Sequence, residues 1–181
     1  NLFNYAYRDE NGNILHKDVS DVAVQNLKDL QIDALVVIGG DGTLTSARDF
    51  ARKGVRVIGV PKTIDNDLME MDHTPGYGSA AKFVATTMIE IIRACTVYDL
   101  DSVLIVEIMG RDAGWLTCAA ALPRLNSDVA PDLVYLPEVD FDMDNFMDDV
   151  RAALEVHPNV VVAVSEGIEF ADGRLVGEGT Q

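Results

Sequence analysis

Five strand-length apolar runs, at about 32–38, 55–60, 102–108, 133–136 and 159–164, are separated by stretches of helical periodicity. None of the runs shows the regular polar alternation of a half-exposed strand. Such strands are buried on both faces, and helical crossovers between them imply a parallel sheet in an α/β fold. The intervening helices are expected at 19–30, 44–53, 77–98, 114–122 and 144–156. The first carries Val22, Val24, Leu27 and Leu30 at helical spacing, and the last carries Phe146, Met147, Val150 and Leu154. Gly54 ends the second helix and Pro61 stops the second strand. Ligands of parallel sheets bind beyond the carboxyl ends of the strands. The segments to inspect are therefore 39–43, 61–67, 109–112 and 165–167.

Several function classes fall away at once. The formal net charge is -16, so a general nucleic-acid surface, which needs a basic face, is not expected. The excess negative charge reads as a solvated surface. Local amides, a few cations or a metal still suffice to bind phosphate in an acidic protein. No apolar run reaches the roughly 18 residues of a membrane span, and residues 1–7 lack the blocks of a signal peptide. No membrane partner is expected, and a cytoplasmic setting fits. Cys95 and Cys118 lie in apolar helical stretches, read as structural thiols with no metal or redox spacing. The three histidines form no cluster; His73 lies in a polar loop where it could line a site, and His16 and His157 read as surface residues. The missing initiator Met and the abrupt end at residues 177–181 give the expectation of a central piece of a longer polypeptide.

The residues after the strands carry chemistry suited to phosphate. Gly39, Gly40, Asp41, Gly42 and Thr43 form a strand-to-helix turn. Its glycines permit close backbone approach, and the following helix N-terminus offers free N–H groups to a phosphate. Asp41 supplies a carboxylate suited to Mg²⁺, which takes one or two protein oxygens and keeps several waters. The spacing is neither the dinucleotide fingerprint nor the P-loop, and a plain capped turn is the simpler alternative.

The run Pro61-Lys62-Thr63-Ile64-Asp65-Asn66-Asp67 gathers two carboxylates, an amide, a hydroxyl and an amine directly after a buried strand. Phosphoryl transfer needs charge neutralisation and a group that accepts the attacking hydroxyl's proton. Lys62 can neutralise charge, and Asp65 or Asp67 can accept the proton. A solvated Asn/Asp-rich turn is the alternative. In Met109-Gly110-Arg111-Asp112-Ala113-Gly114-Trp115, Arg111 can fork onto a phosphate, and Trp115 reads as core packing. Glu166, in Ser165-Glu166-Gly167, can accept sugar hydroxyls or pair with a lysine.

Together these motifs resemble the phosphofructokinase family. GGDGT at 39–43, PKTIDND at 61–67, MGRDAGW at 109–115 and SEG at 165–167 stand in that family's order and at about its spacing. The likeness runs from RDEN at 8–11 through SEG. GGDGT alone is shared with kinases of NAD and lipids, whereas the joint pattern is specific.

The resemblance implies two three-layer α/β lobes, both only partly present. Residues 1–76 would belong to a large phosphoryl-donor lobe and residues 77–181 to a small sugar-phosphate lobe. It implies Mg²⁺-dependent transfer to the 1-hydroxyl of fructose 6-phosphate, in glycolysis, by a homo-oligomer, dimer or tetramer. Asp65 would activate the 1-hydroxyl, with Thr63 and Asp67 beside the transferred group. Lys62 and Arg111 would join it in catalysis. Gly39, Gly40, Asp41, Gly42 and Thr43 would line the donor pocket, with Asp41 on the metal side. Met109, Gly110, Arg111 and Glu166 would contact the sugar phosphate.

Gly42 favours ATP as donor, because pyrophosphate-using members commonly carry Asp there. Lys62 points the other way, since well-known bacterial ATP enzymes have Gly at that position and pyrophosphate enzymes have Lys. HTPGYGSAAK at 73–82 also resembles pyrophosphate-type members. ATP is the expected donor and pyrophosphate the alternative.

The chain departs from the family pattern in four respects. The N-terminal glycine-rich phosphate loop is missing, and Phe3 stands where ATP enzymes have Arg. Ser102 replaces an Arg that in many bacterial members reaches a neighbouring subunit's sugar phosphate. The C-terminal His and Arg contacts would lie beyond Gln181. The piece alone is therefore expected to fold poorly and to be inactive. Two rival readings stand beside this one: another GGDGT kinase, and a non-catalytic subunit that binds sugar phosphate.

Overall fold

The computed structural model describes residues 2–177. The chain divides between Lys62 and Thr63 into two compact units. No helix among the described residues is long and apolar enough to cross a membrane.

The first unit opens with an antiparallel hairpin of β1 (Tyr5–Arg8) and β2 (Ile14–Lys17), which the periodicity did not predict. Its strands are short and exposed throughout, so they carry no burial pattern to read. The turn is specified instead by Asp9, whose carboxylate accepts the N–H groups of Asn11 and Asn13 at 2.9 and 2.8 Å, and by Gly12 at φ 84°. Helix α1 (Ser20–Asp29) follows, then β3 (Leu35–Gly39), α2 (Asp41–Arg52) and β4 (Val57–Pro61).

Strand β3 begins later than expected because the end of α1 consumes the residues before it. Gln31 adopts φ 55°, and the Ile32 N–H returns to the Leu27 carbonyl at 2.9 Å, closing the helix in a left-handed cap. β3 and β4 pair in parallel from Leu35↔Val57 to Gly39↔Pro61, and α2 packs against both. Val36, Ile38 and Ile58 remain more than 60% exposed. The sequence predicted cover on both faces of this sheet; the described residues supply it on one.

In the second unit, a loop at 63–76 leads into α3 (Tyr77–Cys95). Then come β5 (Ser102–Ile108), α4 (Trp115–Ala119), β6 (Leu133–Tyr135), α5 (Met143–Leu154) and β7 (Asn159–Ser165). The three strands are parallel in the order β5–β7–β6. All seven residues of β7 are buried. Val161 and Ala163 point into a core with Met88, Ile92 and Leu116, whereas Val160, Val162 and Val164 point into another with Phe141, Val150 and Ile168. Here the unbroken apolar run has the meaning the sequence implied: helices cover both faces of a parallel strand. Asp142 starts α5 by accepting the Asn145 N–H at 2.8 Å.

Helix α4 is shorter than predicted, because a 3-10 turn over Leu122–Leu125 with Pro123 in its first turn replaces its continuation. Trp115, read as core, is 52% exposed and meets Tyr77 edge-on at 6.4 Å. Cys95 is half-buried and Cys118 is exposed; both are free thiols, so an apolar helical stretch did not guarantee burial for Cys118.

Candidate active site

In the first unit the carboxyl ends of β3 and β4 lie side by side, with Gly39 opposite Pro61. The Lys62 N–H donates to the Gly39 carbonyl at 2.8 Å. The glycine-rich segment is more helical than predicted: α2 already starts at Asp41, with Gly40 as its N-cap and no side-chain cap on the first turn. Its leading amides therefore stay available to an anion. A Cβ on Gly39 would come within 2.6 Å of the Thr43 side chain, whereas a Cβ on Gly42 would meet nothing within 4 Å. Asp41, Gly42, Thr43 and Lys62 are all exposed.

In the second unit the 63–76 loop is knotted on itself. The Asp65 N–H donates to Thr63 Oγ1 at 3.3 Å, and the Gly76 N–H donates to the Thr63 carbonyl at 3.1 Å. Asn66 sits between the two aspartates at φ 59°, a conformation that Asn tolerates better than most residues. Its Oδ1 accepts the N–H of buried Thr74 at 2.8 Å, and its Nδ2 donates to the Asp72 carbonyl at 3.3 Å. Asn66 has no separate role in the sequence reading, although Asn between two acidic residues in a loop is a signal for a left-handed turn.

The segments after β5 and β7 interlock. Ser165 Oγ donates to the Gly110 carbonyl at 2.6 Å, and the Gly167 N–H donates to Ser165 Oγ at 3.1 Å. The Gly110 N–H in turn donates to Glu166 Oε1 at 3.1 Å. Gly110 takes φ 120°, a region reserved for glycine. Gly167 lies so close to the Arg111 carbonyl that no Cβ could stand there. Farther along, the Gly114 N–H donates to Glu138 Oε1 at 2.7 Å. Met109, Arg111 and Glu166 are exposed, on a backbone held by these hydrogen bonds and close contacts.

Electrostatics then single out one carboxyl. Burial pushes Asp65 above the ordinary aspartate value of 3.8, and the nearby charges of Asp67, Glu166 and Asp112 push it further. Its Oδ1 and that of Asp67 are buried without a hydrogen-bond partner among the described residues. A buried polar atom without a partner is rare in a settled structure and marks a place for an outside donor. Asp112, given no role from the sequence, belongs to this acidic group.

The residues fit a magnesium ion that brings most of its own ligands. No group of three or more His, Cys, Asp or Glu gathers for a metal among the described residues. Mg²⁺ needs one or two carboxylates beside water and phosphate oxygens, and exposed Asp41 on an uncapped helix end can give one.

The predicted site residues thus fall into two groups. Gly39, Gly40, Asp41, Gly42, Thr43 and Lys62 share the strand ends of the first unit. Thr63, Asp65, Asp67, Met109, Gly110, Arg111 and Glu166 belong to the second, where the Glu166 charge acts on Asp65.

Residues 7–179 match the family model for phosphofructokinase. ATP-dependent 6-phosphofructokinase 2 of Clostridium perfringens is 46% identical over 177 residues, covering 97% of this chain and 46% of that protein. Pyrophosphate–fructose 6-phosphate 1-phosphotransferase of Rhodospirillum rubrum is 42% identical over 161 residues, covering 83% of this chain and 38% of that protein. Among solved structures, a pyrophosphate-dependent phosphofructokinase from Nitrosospira multiformis superposes with a TM-score of 0.68 at 30% identity, covering 85% of this chain and 41% of the other. The chain spans less than half the length of these relatives.

Proposed function

The chain belongs to the phosphofructokinase family, and from that premise we propose that the full-length protein transfers a phosphoryl group from ATP to the 1-hydroxyl of fructose 6-phosphate. The sugar oxygen bonds to the terminal phosphorus of ATP as the bridge to ADP breaks. The hydroxyl proton passes to Asp65, and ADP leaves with the electron pair. The carrying observation is Asp65 itself, a half-buried carboxylate with a partnerless oxygen and an acidity weakened first by burial and then by three acidic neighbours. A base with a raised pKa holds the incoming proton better.

The chain's other residues bind and orient. Thr63 and Asp67 flank the transferred group, while Lys62 and Arg111 offset its charge. Gly110, Met109, Arg111 and Glu166 hold the sugar phosphate. The 39–43 turn receives the donor's phosphates on its free amides, and Asp41 would hold Mg²⁺. When bound, that ion offsets charge on the phosphates. Residues 1–76 would be part of the donor lobe and 77–181 part of the sugar-phosphate lobe of a cytoplasmic glycolytic homo-oligomer, dimer or tetramer.

A second reading keeps the acceptor and changes the donor to pyrophosphate. Lys62, the 73–82 segment and the Rhodospirillum and Nitrosospira relatives favour it. Gly42 favours ATP, since a carboxylate at that position would crowd and repel the nucleotide's α-phosphate.

The test is fructose 1,6-bisphosphate formation by the full-length protein with Mg²⁺ and either donor. Product with ATP alone is the expected result. Product with pyrophosphate alone would keep the acceptor chemistry and overturn the donor. Sugar-phosphate binding without turnover would indicate a binding subunit, and phosphorylation of NAD or diacylglycerol instead would indicate another GGDGT kinase.

A further inference from the structure

Two chain segments that bear the proposed sugar-phosphate contacts, 109–111 and 165–167, are joined through one buried hydroxyl. Ser165 is 1% exposed, so its Oγ has no route to substrate or bulk water. It donates to the Gly110 carbonyl at 2.6 Å and accepts the Gly167 N–H at 3.1 Å. Each of these backbone groups is next in sequence to a proposed ligand. Gly110 lies between Met109 and Arg111, and Gly167 follows Glu166.

The geometry leaves little slack around this hydroxyl. Gly110 is in a positive-φ conformation, and Gly167 touches the Arg111 backbone so closely that no side chain fits. The Glu166 N–H donates to the Ile108 carbonyl at 2.9 Å, and Glu166 Oε1 accepts the Gly110 N–H at 3.1 Å. Glu166 thus spends one oxygen on the neighbouring segment and keeps the other for a ligand. Removing the Ser165 hydroxyl leaves a buried carbonyl and a buried N–H without that partner, and both groups must then move to find another.

We propose that Ser165 is a positioning residue: its hydroxyl locks the 109–111 segment to the 165–167 segment and so sets the geometry in which Gly110, Arg111 and Glu166 grip the sugar phosphate. The inference rests on the fructose 6-phosphate reading of this site. It assigns Ser165 no contact with substrate. A lock of this kind acts on acceptor binding and leaves the donor alone, whereas a merely structural residue would lower stability and leave both KM values unchanged.

The experiment uses the full-length protein and its Ser165→Ala, Ser165→Cys and Ser165→Thr variants. For Ser165→Ala, KM for fructose 6-phosphate should rise about tenfold or more, with the donor KM unchanged and kcat within about threefold. Ser165→Thr, which restores a hydroxyl, should recover most of the acceptor affinity. A folded Ser165→Ala variant with unchanged KM for fructose 6-phosphate would overturn the proposal. If Ser165→Ala does not fold, Ser165→Cys decides by the same criterion, because it keeps the volume with only a weak donor. Hydrogen–deuterium exchange at the Gly110 and Gly167 amides separates this proposal from the enzyme reading. If the wild type turns over no fructose 6-phosphate, the enzyme reading fails. Faster exchange in Ser165→Ala would then keep the lock as a property of a site for another ligand, and unchanged exchange would overturn it.

Discussion

At Gly42 an added Cβ would meet open space, whereas at Gly167 it would run into the Arg111 carbonyl. Gly42 belongs to the first group of site residues and Gly167 adjoins Glu166 of the second, and the groups are built on different principles. The 39–43 turn packs Gly39 tightly against Thr43 but presents exposed Asp41, Gly42 and Thr43 on an uncapped helix start, with room beside Gly42. The 109–111 and 165–167 segments are cross-linked by buried hydrogen bonds, a positive-φ glycine and a backbone contact. A surface of free amides holds phosphate without discriminating what it is attached to, so donor choice there falls to the residue at position 42. A cross-linked pocket selects one acceptor geometry, because its groups cannot adjust.

The largest break of this comparison is at the acidic centre. Asp65→Asn in the full-length protein should lower kcat by about 10² to 10⁴, the usual scale of a lost general base, with little change in fructose 6-phosphate binding. The same variant should melt at the wild-type temperature or above it. The Asp65 pKa is raised in the fold, so its charged form is a destabilising element above that pKa. The burden is relieved as pH falls through the raised value, and a neutral Asn relieves it at every pH. Activity assays and thermal melts check both halves.

Gly167→Ala comes next. The added carbon must force the two segments apart, so stability should fall by about 1–3 kcal/mol, the range for overpacking a tight interior. KM for fructose 6-phosphate should rise roughly tenfold or more, equivalent to about 1.4 kcal/mol of binding. Wild-type acceptor affinity in a folded Gly167→Ala protein would remove the contrast between the two groups. Gly42→Ala sharpens the contrast from the other side and has the smallest effect. Gly42 lies in the first turn of α2 with room for a methyl group, so denaturant unfolding should show a change between zero and about 1 kcal/mol of stabilisation.

Legibility in the sequence followed the same divide. The β7 strand was plain because an apolar run buried on both faces has one natural setting, the middle of a parallel sheet. The place of the candidate segments was also plain, since glycines and acidic residues that directly follow such strands fall at the edge of the sheet where ligands are expected. What the sequence hid were features set by tertiary contact or by a single backbone angle. Ser165 reads as an unremarkable strand end until its hydroxyl is seen against Gly110. Gln31 shortens β3 through a left-handed cap, and the β1–β2 hairpin has exposed strands with no periodicity to find. The raised pKa of Asp65 comes first from burial and then from Asp67, and also from Glu166 and Asp112, which lie about a hundred and nearly fifty residues away along the chain.

The most direct test is the pH dependence of kcat/KM for fructose 6-phosphate in the full-length protein and in Asp67→Asn. If Asp65 is the base and its neighbours set its basicity, the acidic limb should lie above the ordinary aspartate value of 3.8. Activity should be lost as pH falls through that limb, because the base becomes protonated. Removing the Asp67 charge should move the limb to lower pH, since less repulsion then opposes ionisation. An acidic limb at the ordinary value, or one that Asp67→Asn leaves in place, would contradict the account.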